Sequence, residues 1–226
     1  MKIIALTDIH GHIDPIKRIL KEIKKHMPDL VLICGDLTHF GPLNVARKVL
    51  SMFTKEGWRT LFVPGNCDPR ELLLLKEVEG AINIHGTFYD IEEFSVIGFG
   101  GGTFFRGMTP IEFGEDEFES GLKPNFDNAK ERNREIILCT HAPPRNTRID
   151  YTLSGTHAGS DIIRRLVLEY EPLIAFHGHI HEARGVDVIG KTPCINMGPA
   201  YRGYFAVADV KRGAVDYELI ELGKTG

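Results

Sequence analysis

The sequence predicts an α/β fold of two packed sheets with helices outside, and three observations lead to it. Five short apolar runs, "KIIAL", "DLVLIC", "RTLFV", "EIILC" and "PLIAF", show no polar alternation, as expected of strands buried on both faces. Amphipathic stretches with helix-start signals lie between them. From about residue 80 the texture shifts to short β-like pieces, so the later half is richer in strand.

Taken in order, "KIIAL" is the first strand, and Asp14-Pro15 opens a helix over "IKRILKEIKKHM". Its lysines Lys17, Lys21, Lys24 and Lys25 fall on the side away from Ile16, Leu20, Ile23 and Met27, which is a solvated face rather than a nucleic-acid patch. "DLVLIC" follows, then Gly41-Pro42 before the helix "LNVARKVLSMF". "RTLFV" leads to Asp68-Pro69 before "RELLLLKEVE", with Asp68 as N-cap and Glu71 completing a capping box. "EEFSVIGFG" is a strand. In "GFGGGTF" the glycines let the backbone pass close to another layer, since the run lacks a P-loop lysine and does not fit GxGxxG. Residues 102–134, acidic in "EFGEDEFE", read as an irregular surface loop. "EIILC" and "PLIAF" flank a helix capped by Ser160, and "GVDVIG", "TPCINMG", "YFAVADV" and "AVDYELIEL" close the chain as antiparallel strands.

At 226 residues, with 42% hydrophobic and 26% charged, the chain suits one domain over 1–226. The net charge of -4 offers no basic face to nucleic acid or an anionic membrane. The N-terminus is too short in apolar residues for a signal h-region or a membrane span, so a cytoplasmic protein is expected, with oligomerisation left open. Cys34, Cys67, Cys139 and Cys194 form no CxxC pair, which argues against a disulfide framework or a zinc knot.

In open α/β sheets ligands bind beyond the carboxyl ends of strands. The five apolar runs lead into Thr7-Asp8-Ile9-His10, Gly35-Asp36, Gly65-Asn66, Thr140-His141 and Gly178-His179-Ile180-His181. Two carboxylates, one amide and four imidazoles in one buried region are costly without a compensating partner. A pair of divalent cations satisfies them, and the mixed N/O set suits zinc, manganese, iron, cobalt or nickel, of which manganese is the expected metal. The residual positive charge attracts an anionic substrate.

The ordered motifs "TDIHG", "CGDLTHFG", "PGNCD", "CTHAPP" and "HGHIHEARG" resemble those of the calcineurin-like metallophosphoesterase superfamily, over residues 8 to 181. The resemblance implies a four-layer αββα sandwich of two mixed β-sheets flanked by helices. It places Asp8, His10, Asp36 and His181 on one metal and Asp36, Asn66, His141 and His179 on the other, with Asp36 bridging. It implies hydrolysis of a small phosphoester by hydroxide held between the metals. The stretch "NMGPAYRGYF" is similar to the family's Asn-Pro-Gly turn, with Met197 in place of the proline.

Cys67 departs from the family's Asn-His-Asp/Glu motif, whose histidine protonates the leaving group or holds phosphate. A thiol is a poor substitute, and diesters need less charge neutralisation than dianionic monoesters. The expectation is therefore a phosphodiesterase, nucleotide substrates included, with Asp36, Asn66, His141 and Cys67 as catalytic positions. His39 and His157 are candidate substrate contacts, and Ser160 is either a helix cap or a phosphate contact. His12 and His177 sit beside the candidate ligands and are expected to point elsewhere, either hydrogen-bonding behind those ligands or simply packing. The rival readings are a non-catalytic protein-interaction scaffold on the same fold and a nuclease.

Overall fold

The computed structural model describes residues 1–223. The first strands and helices are β1 (Lys2–Leu6), α1 (Ile13–His26), β2 (Leu30–Cys34), α2 (Leu43–Thr54) and β3 (Arg59–Val63). A chain of short strands follows: β4 (Glu77–Val78), β5 (Ala81–Asn83), β6 (Thr87–Ile91), β7 (Phe94–Phe99), β8 (Gly102–Thr103) and β9 (Glu112–Phe113). Next come α3 (Glu115–Glu131), β10 (Glu135–Thr140), α4 (Asp161–Tyr170) and β11 (Ile174–His177). The last strands are β12 (Gly185–Ile189), β13 (Thr192–Asn196), β14 (Tyr204–Lys211) and β15 (Ala214–Glu221).

These strands form a seven-stranded sheet in the order β15-β14-β1-β2-β3-β5-β4 and a six-stranded sheet in the order β12-β13-β11-β10-β7-β6. Both are mixed: β1, β2 and β3 run parallel while β14 is antiparallel to β1, and β10 is parallel to β7 and β11 while β12 is antiparallel to β13. Each of the five apolar runs is one of the central strands, and the absence of alternation has a direct cause. On β1, Ile4 and Leu6 pack with α1 and α2, whereas Ile3 and Ala5 pack between the two sheets. A third cluster, with Phe118, Leu122, Phe126, Ile163 and Leu166, lies between the second sheet and α3 and α4. The layers are helix, sheet, sheet, helix. All four cysteines are free, although Cys34 and Cys139 face each other across the sheets with their sulfurs 3.3 Å apart.

Four local expectations require correction. The segment 102–134 is not an irregular loop: α3 occupies 115–131 and contributes Phe118, Leu122, Phe126 and Ala129 to the core. Gly121 and Pro124 disguise the helical period. Gly121 lets the helix approach β7, since a Cβ there would lie 2.1 Å from the Phe99 ring. "RELLLLKEVE" makes only a 3₁₀ turn, Arg70–Leu74, before β4. Asn83 Nδ2 donates to the Leu72 and Leu75 carbonyls at 2.7 and 2.9 Å, so the groups that would continue the helix are already taken. Asp68 does not cap that turn, and its carboxylate serves the site instead. Finally, α1 and α2 begin at Ile13 and Leu43, so Pro15 is the third helical residue and Pro42 stands at the cap position. Ser160 does cap α4, its hydroxyl accepting from Ile163 N at 3.1 Å.

Candidate metal centre

Since β1, β2, β3, β10 and β11 are parallel neighbours within their sheets, their carboxyl ends open on one side of the molecule. Asp8, His10, Asp36, Asn66, His141, His179 and His181 meet there. Asp8, Asp36 and His141 are buried, with candidate ligand atoms within 4.8 Å of one another, as are those of Asp8, His10 and His181. Asn66 Oδ1 lies 2.8 Å from His141 Nε2 and 2.8 Å from His179 Nδ1. His181 Nε2 is 3.1 Å from Asp8 Oδ1 and 3.1 Å from His10 Nε2. Asp36 spans the two groups, with Oδ2 3.6 Å from His10 Nε2 and Oδ1 3.5 Å from His141 Nε2.

Hydrogen bonding fixes which atoms face inward. His141 Nδ1 lies 2.8 Å from the Cys34 carbonyl, an acceptor only, so Nδ1 carries the proton and donates. Burial keeps the ring below its ordinary pKa, so it is neutral and Nε2 presents a lone pair. That lone pair faces the Asn66 carbonyl oxygen, whose orientation is set by Asn66 Nδ2 donating to Cys67 Sγ at 3.4 Å. Two acceptors thus oppose each other with no proton between them. His10 Nδ1 meets the Thr38 carbonyl at 3.3 Å, and burial pushes the ring down to about 4, so that its Nε2 presents a lone pair toward His181 Nε2 at 3.1 Å. His179 is pushed down to about 3, chiefly by burial and then by His141. Donor atoms 2.8 to 3.8 Å apart are spaced as ligands about 2.0–2.2 Å from a shared cation would be. A cation fits this donor set.

The carboxylates tell the same story. Burial raises the Asp8 carboxyl, but the hydrogen bond from His181 and the imidazoles of His141, His181 and His10 hold it well below the usual range. Asp36 is pushed well above that range by burial and by the charges of Asp8 and Asp68. Asp68 is fully buried and accepts from Gly65 N at 2.8 Å, Thr38 N at 2.8 Å and Leu37 N at 3.1 Å. It ties the Asn66 loop to the Asp36 loop, and burial raises it to about 6 despite those bonds.

Backbone shape completes the site. Asp8, His10, Asp36 and His179 all have left-handed φ, between 51 and 70°. That conformation costs non-glycine residues of order 1–3 kcal/mol each and clusters at functional sites. Three glycines touch the donors directly: a Cβ on Gly65 would stand 2.0 Å from Asp36 Oδ1, one on Gly35 2.5 Å from His141 Nδ1, and one on Gly178 2.6 Å from Asp8 Oδ2. Gly98, Gly100 and Gly101 of "GFGGGTF" likewise leave no room for a Cβ against Ile84, Pro64 and Phe113.

Of the remaining candidates, Cys67 is buried, and burial, Asp36 and Asp68 push its thiol well above the ordinary value, so no thiolate nucleophile forms. His39 is exposed, and its ligand atom falls within 4.8 Å of those of His10 and Cys67. His157 lies farther off in the wall of a cleft that reaches Asn66 and His179. Ser160 is committed to helix capping, because Glu115 already accepts from its hydroxyl and from Asp161 N and Ile162 N. His177 turns away, with Nδ1 2.8 Å from Thr140 Oγ1. Asn196 braces the His179–His181 loop by donating to the Ile149 and Ile180 carbonyls at 3.1 and 2.8 Å. Sequence reasoning missed Thr7, whose hydroxyl donates to Asp8 Oδ2 at 2.9 Å, and Tyr201, whose hydroxyl lies 3.4 Å from His181 Nδ1. Nothing local in the sequence marks either one.

The calcineurin-like phosphoesterase family profile matches residues 1–183. The chain belongs to this family. MJ1162 of Methanocaldococcus jannaschii is 35% identical over 221 residues, covering 95% of this chain and 94% of that protein. The crystal structure of TT1561 from Thermus thermophilus superposes with a TM-score of 0.74 at 18% identity, covering 96% of this chain and 97% of that one. A structure described as a novel archaeal phosphodiesterase gives a TM-score of 0.50 at 16% identity, covering 97% and 100%. The family is metal-dependent and hydrolytic, consistent with the groups of candidate ligand atoms gathered at the site. Among the described residues no helix is long and apolar enough to cross a membrane.

Proposed function

We propose that the protein is a phosphodiesterase working with two divalent cations, manganese foremost, on small phosphodiesters in preference to phosphomonoesters. The observation supporting two cations is the division of seven donors around Asp36: Asp8, His10 and His181 on one side, Asn66, His141 and His179 on the other. When bound, such a pair supplies Lewis acidity and a water activated at neutral pH. The chain's own residues do the rest. Asp36 is held between the two groups by Cys67 N, which donates to Oδ1 at 2.8 Å. His141 and His10 are locked by their Nδ1 bonds to carbonyls with Nε2 inward, an orientation that raises ligand basicity. Asp68 and the three close-fitting glycines keep the loops from relaxing when anionic substrate arrives. The diester preference rests on Cys67, which at high thiol pKa is a poor proton donor to a leaving group.

The test is hydrolysis of matched aryl mono- and diesters with manganese, in the intact protein and in Asp36→Ala and His141→Ala. Diester kcat/KM is expected to exceed that for the monoester, and each variant to lose at least about 10²-fold. A monoester preference, or variants as active as the parent, would refute the reading. The scaffold alternative predicts stoichiometric metal with no turnover on either ester.

A further inference from the structure

A cleft of about 760 Å³ opens beside the donor cluster and shares Asn66 and His179 with it. That volume is typical of sites that hold small organic ligands. One wall is the loop 104–111, carried on the two-stranded ladder of β8 and β9. It presents Phe104, Phe105 and Met108 to solvent, 68%, 64% and 67% exposed. Large apolar side chains clustered at one mouth are uncommon on a soluble surface and mark binding sites.

This wall is built, not slack. The Glu112 carboxylate accepts from Phe105 N at 2.8 Å, Gly107 N at 2.9 Å, and Thr109 N and Oγ1 at 2.8 and 2.9 Å. Ile111 N donates to the main-chain carbonyl of Asn66 at 3.1 Å, so the aromatic loop is registered against the backbone of a candidate metal ligand. The facing wall is tied to the same ladder, Thr103 Oγ1 donating to the Ala158 carbonyl at 2.9 Å. There His157 lines the cleft, held through Nδ1 at 2.7 Å by Asp150, which is fully buried. The far rim carries the hydroxyls of Thr152, Ser154 and Thr156, mutually bonded at 2.8 to 3.2 Å.

We propose that this cleft is the subsite for an aromatic ester group of the phosphoester, an aryl or a nucleobase-bearing group, stacked on Phe104 and Phe105 while its phosphorus lies at Asn66 and His179. The proposal rests on the phosphoesterase reading and narrows its substrate class. Aliphatic groups would gain burial but not stacking, and ring stacking on an aromatic side chain is worth roughly 10-fold or more in affinity. Glu112 is a positioning residue, acting through the loop it holds.

The test is calorimetric binding, with manganese present, of methylphosphonate, cyclohexylphosphonate, phenylphosphonate and adenosine 5′-phosphate. Phenylphosphonate is expected to bind at least about 10-fold tighter than methylphosphonate and measurably tighter than cyclohexylphosphonate. Phe105→Ala, Phe104→Ala and Glu112→Gln should each bring the phenyl-to-methyl ratio toward one, with unfolding midpoints checked to exclude misfolding. Further tightening with adenosine 5′-phosphate would identify the nucleobase as the source of the ring, and affinity equal to phenylphosphonate would identify a simple aryl group. Equal affinities for methyl, cyclohexyl and phenyl would overturn the subsite even if diesters are hydrolysed. Selective phenyl binding without any ester hydrolysis would instead keep the subsite and remove the proposed activity.

Discussion

At the scale of single residues, the electrostatics turn on a few buried side chains. Asp68 shows how a local reading goes astray: beside Pro69 it has the form of a helix cap, yet its carboxylate faces Gly65, Leu37 and Thr38, binding the Asn66 and Asp36 loops together. Cys67 next to it is the residue with the sharpest consequence. Burial, followed by the charges of Asp36 and Asp68, pushes its thiol well above the ordinary value, which disfavours both attack and proton donation. Replacing it by histidine places an imidazole near His10 and His39 and restores a side chain able to act as a general acid. Cys67→His is expected to raise the ratio of monoester to diester kcat/KM, on the order of 10-fold or more given what general acids contribute. Steady-state kinetics on matched esters will check this, and an unchanged ratio in a folded variant sinks the leaving-group argument.

At the scale of elements, α3 is the instructive case. Its sequence carries a glycine and a proline inside and a dense acidic start, which together read as a loop. The acidic start is in fact favourable: Glu115, Asp116 and Glu117 occupy the first turn, where the helix dipole favours negative charge, and Glu117 accepts from Gly114 N at 2.8 Å. The apolar face of Phe118, Leu122, Phe126 and Ala129 then completes the cover over the second sheet. Phe126→Ala is expected to cost about 3–5 kcal/mol, read from urea denaturation. A surface-loop position costs within about 0.5 kcal/mol, so a change that small removes α3 from the core.

At the scale of the whole molecule, the two sheets and the outer segments meet around His85. Its Nδ1 accepts from Gly100 N at 2.9 Å and its ring packs on Phe99 and Phe113, and burial pushes it down to about 4. A folded pKa below the unfolded value means that the unfolded chain binds the extra proton. The contribution to stability is therefore full above about pH 6.5 and is lost as pH falls from there through about 4. His85→Gln keeps an acceptor without titrating. Between pH 7 and pH 5 the parent is expected to lose on the order of 1–2 kcal/mol more stability than this variant, measured by urea denaturation at both pH values. Equal losses would show that His85 is not a source of acid sensitivity.

By itself the sequence determined the central strands and the layering, because each central strand announces itself as an unalternating apolar run, and it marked seven candidate donors in the loops that follow those strands. A strand buried on both faces must be apolar throughout, and the loop that follows it stands at the sheet's carboxyl edge. Only the tertiary structure decided what lies between distant segments: Glu115 on the start of α4, Glu112 under the aromatic loop, Thr103 on Ala158, Asn196 behind His179 and His181. Such contacts join residues with no fixed spacing, so no periodicity encodes them. The left-handed backbones of Asp8, His10, Asp36 and His179 belong to the same class, since surrounding packing and not the residue type holds them in a conformation that side chains resist.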